Sequence, residues 1–293
     1  MSETAAYIAV DWGTTNRRIW AVAASGYVVA AAHDDHGVLA VTPGTWAQEI
    51  AEMRDRFGAL PVLAAGMVGS DRGWCSVPYV GLPTAIATLA SGVVRPAEDV
   101  AIIPGVARTA AERPDVMRGE EIQLLGAIAA GVAPGDAIFC QPGTHNKWMT
   151  AYGGQIVDFT TAMTGELFAL LRGGGVLMGM LDAPVADGPA FRQGLERGIG
   201  AVDLIAALFE VRARVLLGAL AGEDAASFAS GVLIGSDVGA RRELPGHSVY
   251  LLASGPLAGL YAAAIETVGA RPVLIDGEQA FRSGIHALWE KLQ

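Results

Sequence analysis

Short apolar runs separated by glycine-marked polar turns dominate the chain, and helical periodicity is confined to a few segments. Tyr7-Ile8-Ala9-Val10 is the first strand candidate and runs into Asp11-Trp12-Gly13-Thr14-Thr15-Asn16-Arg17-Arg18. The β-prone residues 19–23, a Ser25-Gly26 turn and residues 27–32 predict two further strands. The same order returns later: an apolar run at 137–140, then Gln141-Pro142-Gly143-Thr144-His145-Asn146-Lys147, residues 148–152, a Gly153-Gly154 turn and residues 155–159. Gly13-Thr14-Thr15-Asn16 falls on Gly143-Thr144-His145-Asn146 at a constant offset of 130 positions. A repeat of that length marks a duplicated domain rather than a solenoid. Helices are expected over 45–56, from Glu120 onward, over 256–268 and over 279–292. The alternation predicts an α/β class with mostly buried sheets. Two domains are expected, 1–117 and 118–293, with Glu112-Arg113-Pro114-Asp115 as the exposed joint.

The repeated turn has a physical use. Glycine lets the backbone approach a phosphate closely, successive N–H groups form an anion nest, and threonine hydroxyls add donors. One Gly-Thr pair between strands is ordinary hairpin chemistry, but two copies in matching context point to one polyphosphate gripped from both sides. No Gly-x-x-x-x-Gly-Lys-Ser/Thr segment occurs, and no strand-linked Gly-x-Gly-x-x-Gly with a partner acid, so Walker and Rossmann nucleotide sites lack support.

Composition narrows the picture. The 293 residues are 52% hydrophobic and 17% charged, with 30 Asp and Glu against 20 Lys and Arg, a formal charge of −10. Charged residues fall below the roughly 25% usual for soluble domains, which argues against disorder. An acidic chain has no general field for nucleic acid or anionic lipid, so an anionic ligand needs a local pocket. Mean hydropathy is +0.39, yet the longest uncharged stretch, 249–265, is broken by Ser254-Gly255-Pro256 and is short for a spanning helix. No secretory signal is visible, and a cytoplasmic location is expected. Cys75 and Cys140 are far apart, which predicts free thiols.

At the two turns the sequence resembles the superfamily of actin, sugar kinases and heat-shock-chaperone ATPases. That resemblance implies two related ribonuclease-H-like domains, the actin-like ATPase or sugar-kinase fold, with an ATP cleft between them. Asp11 through Arg18 resembles the first phosphate motif of the carbohydrate kinases. Asp11 would then act through Mg²⁺ by way of water, and Arg18 would meet the terminal phosphate. Gly13, Thr14, Thr15 and Asn16 form the first turn, and Gly143 with Thr144 the second. Arg118-Gly119-Glu120-Glu121 resembles the segment that carries the catalytic base, with two adjacent glutamates where one aspartate is usual, so Glu120 and Glu121 both stand as candidates. Residues 249–257 resemble the adenosine motif, with Ser254 and Gly255 against the nucleotide, and the last helix resembles the hinge helix that packs on the helix containing Gly126.

Within the superfamily, five blocks together make the chain similar to the 2-dehydro-3-deoxygalactonokinase family: Ala65-Gly66-Met67-Val68-Gly69-Ser70 with Gly73-Trp74, Val116 to Glu121, Pro142 to Trp148, Met163-Thr164-Gly165-Glu166-Leu167, and Gly194-Leu195-Glu196-Arg197-Gly198. The resemblance implies phosphorylation of 2-keto-3-deoxy-galactonate on its C6 hydroxyl with ATP and Mg²⁺. Ser70, Arg72, Trp74 and Arg118 are candidates for holding the sugar acid, because arginine suits bidentate capture of a carboxylate. His145, Asn146 and Lys147 join them, Lys147 being one of only two lysines in the chain. A kinase for another aldonic or keto acid is the alternative, as is a non-catalytic ATP-switched binding module. Expected partners are the sugar acid and ATP, with no nucleic acid and no membrane; homodimerisation stays open.

Overall fold

The computed structural model describes residues 3–293. Its first part runs β1 (Ala5–Trp12), β2 (Arg17–Ala23), β3 (Val28–Asp34), α1 (Trp46–Phe57), β4 (Val62–Gly66), β5 (Val80–Gly81), α2 (Ile86–Ser91), β6 (Val94–Ala97), β7 (Val100–Ile102), β8 (Val106–Arg108), β9 (Asp115–Met117) and α3 (Glu120–Ala129). Then come β10 (Ala137–Gln141), β11 (Asn146–Tyr152), β12 (Gln155–Ala162), α4 (Thr164–Gly173), α5 (Pro189–Ile199), α6 (Leu204–Leu216), α7 (Ala225–Gly239), β13 (Ser248–Leu252), α8 (Gly255–Thr267), β14 (Arg271–Ile275) and α9 (Gly277–Leu292).

The chain divides into two compact units: one holds residues 1–136, 149–159 and 277–293, the other 137–148 and 160–276. The first is built on a six-stranded sheet of order β3-β2-β1-β4-β7-β6. β1 pairs antiparallel with β2 and parallel with β4, so Asp11 lies beside both Arg18 and Ala65. Ile8, Val10, Trp12, Ile19, Val62 and Ile102 form its core with Trp46 and Ile50 of α1. The second unit holds the parallel strands β10, β13 and β14 of a sheet whose order is β12-β11-β10-β13-β14. Third, second and first strands followed by two later ones is the same winding as β3-β2-β1-β4-β7, so the sequence repeat is a repeat of topology. Its core joins Val249, Leu251 and Ile265 to Phe191 and Tyr261, and a helical layer gathers Val211, Phe228 and Val232.

The division differs from the expected boundary after residue 117, and side-chain packing supplies the reason. α3 lies on α9 at backbone contact: a Cβ on Gly126 would sit 1.9 Å from the Ala280 carbonyl oxygen and 2.5 Å from the Gly284 nitrogen. The two helices belong together, so both stay with the first unit. The tip of the β11–β12 hairpin joins them because Arg108 Nη1 donates to Asp158 at 2.5 Å and to the Phe159 carbonyl at 2.7 Å, while Arg113 takes the other Asp158 oxygen. Among the described residues no helix is long and apolar enough to cross a membrane, and Cys75 and Cys140 are free thiols.

A methyl group at position 126 has no room, and overpacking of this kind costs about 1–3 kcal/mol. Gly126→Ala is therefore expected to lower unfolding stability by roughly that amount, read from the denaturant midpoint at unchanged slope.

Candidate active site

In the first unit, the end of β1 delivers Asp11 and the glycine turn to the rim of the sheet. The carbonyls of Gly13, Thr14 and Thr15 accept the N–H groups of Val38, Leu39 and Gly37 respectively, and Gly13 N–H donates to Asn16. This stitching fixes the loop by its oxygens. Gly37 makes it feasible, since a Cβ there would lie 2.4 Å from the Thr14 carbonyl. Asp11, Gly13, Thr14, Thr15, Asn16, Arg18 and His33 line a cavity of 370 Å³.

The two arginines that follow the turn divide as a strand requires, on opposite faces. Arg17 is buried and holds Glu49 at 2.8 Å and Asp34 at 2.9 Å beneath the turn. Arg18 faces the cavity and meets Asp11 at 2.5 Å. Burial pushes the Asp11 carboxyl up from its usual range; the Arg18 cation opposes this, and the like charges of Glu120 and Glu278 add to it.

The charge of Glu120 acts on Asp11 where two glycines let the backbones close up. Gly66 ends β4 at φ +92, where a Cβ would lie 2.8 Å from the Trp12 carbonyl and 3.5 Å from Asp11 Oδ1. Gly119, at φ +106, abuts the Gly66 Cα and starts α3. The adjacent glutamates then part company. Glu120 is half-buried, and its Oε2 accepts the Arg118 N–H at 3.0 Å. Glu121 is 1% exposed and turned into the unit, both oxygens accepting the Gly119 N–H at 2.8 Å. Desolvation, with the charge of Glu120 second, pushes its carboxyl up to about 8. Glu121 is therefore protonated at neutral pH and buried, whereas Glu120 is half-buried and its charge acts on Asp11.

Arg118 packs over the Tyr79 ring at 4.5 Å and donates Nη2 to the Val77 carbonyl at 2.8 Å. Its Nε and Nη1 are buried without a hydrogen-bond partner. Ser70, Arg72 and Trp74 occupy the loop after β4. Ser70 Oγ is tied to the Met67 carbonyl, Arg72 is exposed, and Trp74 stacks on Trp46 at 6.1 Å. Arg72 and Trp74 line a separate 680 Å³ pocket with Asp71 and Pro43, which does not include Asp11 or Glu120.

In the second unit, Gly143 and Thr144 border a narrow 260 Å³ pocket with Thr164, Gly165, Phe168, Ser230, Leu233, Ile234, Leu257 and Tyr261. Gly165 lets α4 meet the turn: a Cβ there would stand 2.4 Å from the Gly143 carbonyl, and Glu166 N–H donates to the Thr144 carbonyl. Ser254 precedes α8 and Gly255, at φ +64, opens it; both are exposed and outside the pocket lining, which α8 reaches through Leu257 and Tyr261.

His145 is exposed and pairs with Glu166 at 2.7 Å. Asn146 and Lys147 are buried at 0% and 4% exposure, and Lys147 Nζ lies 3.4 Å from the His145 carbonyl. Asn146 donates at 2.7 Å to Asp237, a carboxylate that also accepts from Trp148 at 3.0 Å, Thr164 and Tyr261 at 3.2 Å, and Arg241 at 3.4 Å. Asp237 thus anchors the second turn and two walls of the pocket at once. No motif marked it, nor Gly37, Gly66 or Gly165, because a lone acid in an apolar helix and single glycines carry no signal until their neighbours are known.

Two sheets that share the winding of five strands, each with a glycine turn at a strand end, define an actin-like ATPase fold. The activator of 2-hydroxyisocaproyl-CoA dehydratase from Clostridium difficile, solved with bound ADPNP, shares that fold at 11% identity and a TM-score of 0.52 over 97% of this chain and 95% of its own. The chain belongs to the 2-keto-3-deoxy-galactonokinase family, whose model matches residues 11–288. The 2-dehydro-3-deoxygalactonokinase of Escherichia coli strain K12 is 36% identical over 289 residues, 97% of this chain and 98% of that one. The solved structure of a Sinorhizobium meliloti protein assigned the same activity matches at 34% identity and a TM-score of 0.90, covering 96% of this chain and 97% of its own.

The buried Glu121 carries a pH signature. Its carboxyl is raised in the folded chain, so its folding penalty is absent below the usual glutamate range and grows as pH climbs toward about 8. Glu121→Gln mimics the protonated form. The variant is expected to match the wild type in stability at pH 5 and to exceed it by roughly 2–4 kcal/mol at pH 8.5, measured by urea unfolding at both values.

Proposed function

We propose that this chain transfers the terminal phosphoryl group of ATP to the C6 hydroxyl of 2-dehydro-3-deoxy-D-galactonate, a step of galactonate breakdown in the cytoplasm. The observation that carries this reading is the cavity lined by Asp11, Arg18 and the first glycine turn, with the charge of Glu120 acting on Asp11, in a chain of this kinase family.

Phosphoryl transfer to an alcohol needs positioning, charge neutralisation and an acceptor for the hydroxyl proton. Glu120 takes the proton as the C6 oxygen bonds to phosphorus and the bond to the departing ADP oxygen breaks. It sits in the first turn of α3, and a positioned carboxylate is a competent proton acceptor. Arg18 neutralises the transferring phosphate, and the amides and hydroxyls of Thr14 and Thr15 cradle it. In the second unit, the pocket that Gly143 and Thr144 border suits a flat purine, with apolar walls and the hydroxyls of Thr144, Thr164 and Ser230. The unpartnered Nε and Nη1 of Arg118, two residues from the base, suit the carboxylate of the sugar acid.

Mg²⁺ fits the residues present. Among the described residues no cluster of three acidic, His or Cys side chains could enclose a metal, and Asp11 is a single desolvated carboxylate at the phosphate turn. One carboxylate with water and nucleotide oxygens is how Mg²⁺ is usually held. Bound there, the ion would supply positive charge to the phosphates.

Coupled ADP release against a panel of 2-keto-3-deoxy-galactonate, its gluconate epimer, galactonate, glycerol and no acceptor tests the reading. Turnover is expected with the galactonate-derived keto acid. Preference for another acid would move the specificity, and acceptor-independent hydrolysis would favour the ATP-switched binding module. Glu120→Gln is expected to lower kcat by about 10²–10⁴-fold with ATP affinity kept within about twofold; a variant with the wild-type rate would remove Glu120 as the base. Arg118→Ala is expected to raise KM for the sugar acid about 10–100-fold, the loss of a charge-assisted contact, with KM for ATP unchanged.

A further inference from the structure

Four hydroxyls, those of Thr144, Thr164, Ser230 and Tyr261, are the polar side-chain groups on the residues lining the 260 Å³ pocket of the second unit; among the described residues no charged or amide side chain joins them. A free hydroxyl carries one proton and two lone pairs, and it rotates to donate or accept as its partner requires. Asp237 takes that freedom from two of the four. It lies outside the lining, is 8% exposed, and its Oδ2 accepts the hydroxyls of both Thr164 and Tyr261 at 3.2 Å. An ionised carboxylate only accepts, so both protons are committed to Asp237 and both hydroxyl oxygens are left as acceptors. The arrangement is held from behind. Asn146 and Trp148 donate to the same carboxylate at 2.7 and 3.0 Å, and the Arg241 guanidinium lies 3.4 Å from Oδ1. Burial, and after it the Asp237 charge, pushes the Tyr261 phenol up, so Tyr261 keeps the proton it donates.

We propose that Asp237, acting through Thr164 and Tyr261, sets the base selectivity of this pocket in favour of a 6-amino purine over a 6-oxo purine. The inference rests on the reading of the pocket as the purine site and deepens it by naming the edge of the base that is read. Adenine presents at position 6 an amino group that donates, whereas guanine and hypoxanthine present there an oxygen that only accepts. The amino group meets the two fixed acceptors, whose own protons converge on one carboxylate oxygen. A 6-oxo base would set oxygen against oxygen with no proton between them and leave both acceptors desolvated and unpaired. Apolar walls from Phe168, Leu233, Ile234 and Leu257 suit the ring faces of either base alike, so discrimination falls to the hydroxyls. Rejection through an unpaired buried polar group is far sharper than rejection by shape. Asp237 touches no part of the base and is a positioning residue.

Titration calorimetry of the full chain with ADP, inosine diphosphate and the diphosphate of the 6-unsubstituted purine nucleoside tests this without any phosphoryl transfer. ADP is expected to bind tightest, the unsubstituted analogue roughly 10-fold more weakly through the lost donor, and inosine diphosphate more weakly still, up to roughly 100-fold. Equal affinity for ADP and inosine diphosphate would overturn the proposal and leave the kinase reading standing, since that is decided by turnover of the sugar acid. Failure of all three to bind would remove the pocket as a purine site and overturn both. Asp237→Asn supplies an amide that donates as well as accepts, which frees the two hydroxyls to turn. The ratio of the ADP and inosine diphosphate affinities is then expected to fall to within about threefold, whereas a merely loosened pocket would weaken both ligands alike and keep the ratio. An unchanged ratio in the folded variant would refute the role of Asp237. Should Asp237→Asn fail to fold, Thr164→Val and Tyr261→Phe each remove one acceptor at nearly constant shape and are each expected to lower the ratio; the full ratio in both variants would overturn the proposal.

Discussion

The approach of three backbones at the ends of β1, β4 and α3 is the constraint on which the proposed reaction site depends. Trp12 carbonyl, Gly66 and Gly119 stand so close that a side chain at Gly66 would collide with its neighbours. That proximity places Asp11 and Glu120 within each other's field. The positive φ values of Gly66 and Gly119 are what the crossing demands of the chain.

A carboxylate desolvated at such a crossing must be matched by cation or donor. Asp11 has Arg18, and Arg17 on the opposite face of the same strand neutralises Glu49 and Asp34 below the turn. Glu121 feels the Arg118 cation only as the smallest of several influences and settles the matter differently, by keeping its proton and accepting the Gly119 N–H. The two glutamates look equivalent along the chain, yet helical geometry turns successive residues about 100° apart. One side chain therefore enters the core and the other stays half-buried at the start of α3.

The second unit solves the corresponding problem with a single acid. Asp237 sits within an almost wholly buried helix and collects donors from the turn strand, from the start of α4 and from α8. A buried carboxylate with several donors is stable only when all of them are present, so the network fixes the turn and the pocket walls as one body. Asn146 and Lys147 are absorbed into this interior, while His145, at the tip of the same turn, stays exposed.

Much of this was legible in the residues themselves. Strand alternation, the repeat at 130 positions and the family's motif blocks determined the α/β class, the duplication and the kind of chemistry, because these depend on local spacing and residue type. Asp11 and Arg18 were readable as a pair since seven residues of strand, turn and strand bring them opposite one another. The burial that separates Glu121 from the half-buried Glu120, the donors gathered by Asp237, the close contacts at Gly37, Gly66 and Gly165, and the unit boundary at Asp136 were decided only by the tertiary structure. Each depends on which distant segment lies against a residue, and burial of a charge or clash with a Cβ is a property of those neighbours, not of the residue's place in the chain.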